Sequence, residues 1–164
     1  MEHMTIREAT TDDIESIARI YNHYVLHGTA TFDTEPKSIE DRVVWLDSHG
    51  PRHPVLVALV DGEVVGWGSL SPWHPRPAYN DSVEVSTYID PEHLGKGIGS
   101  QLMAALIARA SDIGHHAVIS QIVAGNEASL ALGERFGFRE VGRLPEVGRK
   151  FGTLLDVVLM IRLI

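Results

Sequence analysis

Three glycines at alternate positions, in Gly95-Lys-Gly-Ile-Gly99, separate the β-branched run Ser82-Val-Glu-Val-Ser-Thr-Tyr-Ile89 from a segment with Leu102, Leu106 and Ala110 at helical spacing. A strand, a glycine-rich turn and a helix start follow from that order. Residues lacking a Cβ let the backbone approach a ligand closely, and the first helical turn presents amides with no intrahelical acceptor. Backed by the positive end of the helix dipole, those amides suit an anion such as a pyrophosphate. Other chemistries are poorly supplied. There is no cysteine, which excludes disulfides, thiolate nucleophiles and cysteine-ligated metal. The nine histidines include His115-His116 and the pair His49/His53, but none joins carboxylates in a zinc-binding pattern. They read as structural or exposed, and no metal is expected.

The elements that position the glycine turn are legible on both sides of it. Residues 4–9 form a short first strand, and Thr11-Asp12-Asp13 caps a helix carrying Ile14, Ile17, Ala18, Ile20 and Tyr21. Residues 22–36 lack sustained periodicity and read as a loop, of the kind that often lines sites. Ser38 and Asp41 form a capping arrangement for a second helix through about Ser48. Residues 54–60 and 63–70 flank Asp61-Gly62, a strong two-residue hairpin signal. A proline-rich loop, 71–81, leads to the strand at 83–89. After the glycine turn come a helix to about residue 112 stopped by Gly114, a strand at 117–123 and a helix at 126–136 stopped by Gly137. A strand begins at 138–142, and a last one spans 154–163. The order is βααββ, loop, βαβαββ: an α/β (α+β) arrangement with a mixed sheet, parallel where helices cross over, and helices on its faces.

At 164 residues, with 44% hydrophobic and 22% charged side chains, the chain fits one domain spanning 1–164. Fourteen basic against twenty-two acidic residues give a net charge of −8, which disfavours broad contact with nucleic acid or an anionic membrane. No apolar run is long enough to span a bilayer, and Met1-Glu-His-Met4 lacks the apolar core of a signal peptide, so a cytoplasmic enzyme is expected.

These motifs resemble the GNAT N-acetyltransferases, which use acetyl-CoA. Gly95-Lys-Gly-Ile-Gly99 resembles their pyrophosphate loop, and Asn126 through Gly137-Phe138 their second signature helix. More narrowly, the chain is similar to the phosphinothricin and methionine sulfoximine N-acetyltransferase branch, through Ile20-Tyr-Asn22, Thr31-Phe32, Ser71-Pro-Trp73, Val83-Glu84 with Ser86 and Tyr88, Val147-Gly148 with Lys150-Phe-Gly152, and Asp156-Val157. The resemblance implies a mostly antiparallel sheet in which strands 83–89 and 117–123 splay apart as a parallel pair. The pantetheine arm would pair with main-chain groups near Thr87, Tyr88 and Ile89. Amides of Gly95, Lys96, Gly97, Ile98, Gly99 and Ser100 would hold the pyrophosphate, and Asn126 would touch CoA or a site water. A homodimer through the C-terminal strands and a small-molecule amine acceptor are further implications. Two positions depart from the family: Leu94 replaces a Gln or Arg before the glycines, and Gly133 stands where a Tyr or His can serve as general acid.

Direct acetyl transfer needs a neutral amine, a polarised thioester carbonyl and a route for the amine proton. Glu84 can accept that proton from a partly dry cleft, and the branch resemblance assigns the base to the same position; the alternative is a solvent-facing strand glutamate. Asn126 is also a natural helix N-cap. Arg76 either pairs with an acceptor carboxylate or is a surface residue, and Phe32 and Tyr79 either wall the acceptor pocket or pack beneath loops. Arg149-Lys150 is a basic rim or an exposed pair. The expected activity is acetylation of the α-amine of a phosphinothricin- or methionine sulfoximine-type amino acid. Acetylation of another amine (a polyamine, aminoglycoside or peptide terminus) and a non-catalytic acyl-CoA binding module are the alternatives.

Overall fold

Seven extended segments assemble into one sheet in the computed structural model, which describes residues 3–164. Met1 and Glu2, part of the stretch read above for a signal sequence, lie outside the described residues. The elements are β1 (Met4–Glu8), α1 (Ile14–His27), α2 (Ile39–Asp47), β2 (Val55–Val60), β3 (Glu63–Pro72), β4 (Ser82–Ile89), α3 (Ile98–Ile113), β5 (Ala117–Val123), α4 (Glu127–Arg135), β6 (Arg139–Lys150) and β7 (Thr153–Leu163). The strand order is β1-β2-β3-β4-β5-β7-β6, with β4 and β5 the parallel pair in an otherwise antiparallel sheet, as expected. The crossover through α3 is what makes that pair parallel, since parallel neighbours cannot be joined by a tight turn.

Alternation along the strands sends apolar side chains to both faces. Leu56, Ala58, Leu70, Val83 and Val85 pack under Leu102, Leu106 and Ala110 of α3, whereas Val55, Val57, Leu59 and Trp67 pack against Ile17, Ile20, Tyr21 and Val25 of α1. A Cβ on Gly68 would lie 2.7 Å from Leu106 Cδ1, so α3 approaches β3 only because that residue has no side chain. The Asp61-Gly62 hairpin forms as expected, with Val60 opposite Glu63 and both turn residues at positive φ (51° and 85°).

One boundary differs from the sequence reading, and one strand runs well beyond the stretch that announces its start. Helix α1 continues through His27 rather than ending before Asn22, because Tyr21 and Val25 extend its buried stripe by one more turn. Strand β6 runs to Lys150, well past residue 142. Its partner register to β7 slips between Glu140 and Gly142 and again between Leu144 and Gly148. Pro145, which cannot donate to a ladder, sits in the second irregularity, and Glu146 there takes φ 53° while its amide bonds the Asp156 carboxylate at 2.8 Å. The hairpin closes on Phe151 and Gly152, again both at positive φ.

Candidate active site

The glycine turn is a donor cradle. Gly95 and Gly97 adopt φ of 75° and 81°, a region that disfavours any residue with a Cβ, and Gly97 is the residue that starts α3. The first intrahelical bond runs from Gln101 N to Gly97 O at 3.2 Å, so the amides of Ile98, Gly99 and Ser100 have no acceptor within the helix. They open on a groove of about 420 Å³ that also meets Thr87, Asn126 and Leu94. Leu94 is 59% exposed and offers no polar group there. Arg135 of α4 supplies a cation instead, its guanidinium donating to Ser100 Oγ at 3.3 Å beside the cradle. Lys96 is exposed in the turn and does not line the groove; Ile98 points its side chain into the core and presents only its amide.

The groove continues into a gap between β4 and β5, which pair only from Ser82 to Glu84 and from Ala117 to Ile119 before separating. Which main-chain groups face that gap follows from parity. Trp73 N bonds Ser82 O and Asp90 N bonds Val65 O, both across to the β3 side. Residues 84, 86 and 88 therefore also turn their N–H and C=O toward β3, and Val85, Thr87 and Ile89 turn theirs toward the gap. Thr87 and Ile89 thus have the expected direction. Tyr88 does not: its main chain is used opposite Trp67, and it enters the groove through its side chain. The Ile89 carbonyl already accepts from the Tyr24 hydroxyl, leaving its amide. An extended amide-bearing ligand with an anionic end fits this combination of free strand edge and donor cradle. At the apex, Asn126 Oδ1 accepts from Ser129 N at 3.2 Å, so the N-cap role is real, and the residue also borders both the groove and the gap. A Cβ on Gly133 would meet Met160 Sδ at 3.1 Å, so a larger residue at that departure from the family would require the Met160 side chain to shift.

On the opposite face of β4, Glu84 is half-buried in a cavity of about 370 Å³. Burial raises its carboxyl above the ordinary glutamate range, and the Gln121 amide, donating at 2.8 Å, offsets part of that rise. Ser86 and Tyr88 border both this cavity and the β4–β5 gap, so the two spaces meet along one strand. The cavity roof is residues 28–38, held by side chains of α1. Asn22 clasps Lys37 at both its N and O (2.8 and 2.9 Å), and the Tyr21 hydroxyl bonds Thr31 Oγ1 at 2.8 Å and the Asp33 carboxylate. Burial and the neighbouring Asp33 push the Tyr21 hydroxyl up to about 12, so it remains a neutral donor.

Of the expected acceptor-side residues, Phe32 joins Glu84 in the cavity. Its ring occupies the space above Gly148, where a Cβ would fall 2.2 Å from Phe32 Cε2. Arg76 and Tyr79 do not join it. Arg76 is exposed and Tyr79 packs on His74 in a separate depression with Trp73 and Arg52. The basic-rim reading of Lys150 is corrected as well: it is 4% exposed, and its ammonium donates to Tyr24 O (3.2 Å) and Thr31 O (2.8 Å), fastening the roof from below. The residues missed were Arg42, Asp33, Ser69, Ser71, Gln121 and Arg135. They come from α2, the 28–38 loop, β3, β5 and α4, and nothing local in the sequence marks them.

A donor cradle, a splayed strand edge and a half-buried carboxylate on the far side of the same strand define a group-transfer enzyme that uses a long, phosphate-ended donor. Residues 16–138 match the acetyltransferase (GNAT) family. The phosphinothricin N-acetyltransferase of Streptomyces coelicolor is 42% identical over 156 residues, covering 93% of this chain and 91% of that one. An L-methionine sulfoximine/L-methionine sulfone acetyltransferase of Pseudomonas aeruginosa is 39% identical over 158 residues, 95% and 92% of the two chains. A GNAT superfamily phosphinothricin acetyltransferase from Sinorhizobium meliloti, solved in complex with AcCoA, superposes with TM-score 0.95 at 35% identity, covering 98% of this chain and 88% of that one. The chain belongs to the GNAT acetyltransferase family, in its phosphinothricin and methionine sulfoximine branch, and is an N-acetyltransferase.

Proposed function

We propose that this enzyme transfers the acetyl group of acetyl-CoA to the α-amine of a small amino-acid analogue of the phosphinothricin or methionine sulfoximine type, with Glu84 as general base. The observation that carries the reading is the placement of Glu84, half-buried and on the strand whose Ser86–Tyr88 segment joins the two cavities. The amides of Ile98, Gly99 and Ser100 with Arg135 hold the pyrophosphate, and Val85, Thr87 and Ile89 offer main-chain partners to the pantetheine arm. Acetyl-CoA supplies an activated acyl group whose leaving thiol needs little acid assistance, which suits a chain with glycine at 133. Glu84 takes the proton from the incoming ammonium directly or through one water, and its raised affinity for protons brings it closer to the operating pH, where a base works best.

A thiol-release assay with acetyl-CoA and a panel of amines tests this. Turnover with methionine sulfoximine or phosphinothricin is expected. Turnover of polyamines or aminoglycosides alone would move the acceptor to another class, and tight CoA binding without turnover of any amine would make the chain a binding module. We also propose that two copies pair through β6 and β7, where Val141 (50%), Val147 (56%) and Phe151 (63%) stand exposed on an edge hairpin. Light scattering of the eluted peak should give twice the chain mass; a monomer would refute it.

A further inference from the structure

The acceptor cavity contains a guanidinium that, among the described residues, no carboxylate contacts directly; Asp33 and Asp41 act on it only at longer range. Arg42 lies on α2, whose first turn is held by a reciprocal cap in which Ser38 Oγ accepts from Asp41 N at 3.0 Å and the Asp41 carboxylate accepts from Ser38 N at 3.3 Å. From there Arg42 reaches the cavity wall and is only 5% exposed. Its guanidinium sits 3.8 Å from the Trp45 ring, 4.7 Å from Tyr21 and 5.4 Å from Trp67. Among the described residues it makes no ion pair, and its Nε and Nη2 are sealed from solvent without an acceptor. Aromatic faces compensate part of a desolvated cation and cannot replace an anion. The acids that share the cavity are otherwise engaged: Asp33 accepts from the Tyr21 hydroxyl, and Glu84 accepts from Gln121.

Resting on the acetyl-transfer reading above, we propose that Arg42 is the specificity-determining residue of this cavity, selecting acceptors that carry an anionic group beside the amine. With the carboxylates of Glu84 and Asp33 and the guanidinium of Arg42 all lining it, the cavity offers both signs of charge to a zwitterion. The ammonium is drawn to the carboxylates, where Glu84 deprotonates it, and the carboxylate or a comparable oxyanion is drawn to the guanidinium, which has no ion-pair partner among the described residues. A simple amine satisfies only half of that lining.

The test compares methionine sulfone with its decarboxylated analogue, 3-(methylsulfonyl)propylamine, in the wild-type enzyme and in Arg42→Met and Arg42→Lys. Wild type should prefer the amino acid in kcat/KM by about ten- to a hundredfold, the range of a hydrogen bond or ion contact to a charged group. Arg42→Met should lose that preference mainly through KM for the amino acid, and Arg42→Lys should recover part of it. A wild type that accepts both compounds equally overturns the proposal whether or not the variants fold. So does an Arg42→Met enzyme in which the two activities fall by the same factor, since that marks Arg42 as a packing residue. Failure of the wild type to acetylate any amine would instead refute the acetyl-transfer reading itself.

Discussion

Replacing Glu84 with Gln removes the proton acceptor while keeping the shape of the side chain and a partner for Gln121. A positioned general base contributes on the order of 10²- to 10⁴-fold, so kcat at neutral pH should fall within that range. The pH dependence is the sharper readout. In the wild type kcat/KM should rise with pH as Glu84 ionises, and burial places that limb above the ordinary glutamate value of 4.5. In Glu84→Gln the limb should vanish, and in Gln121→Leu, which removes the donor that stabilises the carboxylate, it should move to still higher pH. CoA affinity should be unchanged in Glu84→Gln because the side chain projects on the face opposite the cradle. Stability supplies an independent check. A carboxyl whose folded pKa is raised is most stabilising when protonated, and that contribution is lost as pH rises from the unfolded value through the folded one. The Tm of Glu84→Gln should therefore exceed that of wild type at neutral pH, with the gap closing below the unfolded glutamate range. A variant that retains the wild-type limb, or loses activity only through CoA binding, would remove Glu84 as the base.

Other perturbations separate conformation from contact. Gly97→Ala forces a Cβ into a left-handed residue at the cradle, at roughly 1 kcal/mol, and should weaken CoA binding measured by calorimetry; Gly99 has no positive φ, and a Cβ there makes only ordinary contacts with Leu132 (3.7 Å) and Ile89 (3.9 Å), so Gly99→Ala should bind more nearly like wild type. Gly148→Ala should displace the Phe32 ring and raise KM for the acceptor with little effect on KM for acetyl-CoA, as initial-rate kinetics would reveal. Lys150→Met leaves the buried Thr31 carbonyl without its donor, while the Tyr24 carbonyl keeps the Gly28 amide, and should lower stability by about 1–3 kcal/mol in denaturant melts, with faster amide exchange across residues 28–38.

The sheet and the cradle were legible because both depend on local signals. Glycines at 95 and 97, the Asp61-Gly62 turn, the stop at Gly114 and the cap at Ser38 each act over a few residues, and each took the conformation its residue type dictates. The errors fell where local and tertiary preferences disagree. Asn22 and His23 look like the end of a helix, yet the apolar stripe through Val25 carries α1 onward. The stretch 138–142 announces only the start of a strand, and past Pro145, where a bulge absorbs the missing donor, β6 resumes. Lys150, beside Arg149, looks like a surface cation; the carbonyls of Tyr24 in α1 and Thr31 in the roof, more than a hundred residues earlier, claim it.

From its sequence alone the chain determined an anion cradle at a helix start, a mixed sheet and a glutamate one strand before the cradle, since residue type and spacing dictate backbone conformation over short range. Only the tertiary structure decided what faces that glutamate. Arg42, Asp33, Phe32 and Gln121 arrive from three other elements and loops, and Arg76 and Tyr79, close in sequence to Glu84, fall elsewhere. Such juxtapositions depend on which helix crosses which face of the sheet, and that is set by packing the buried stripe of α1 and the aromatic cluster around Trp67, which no stretch of neighbouring residues encodes.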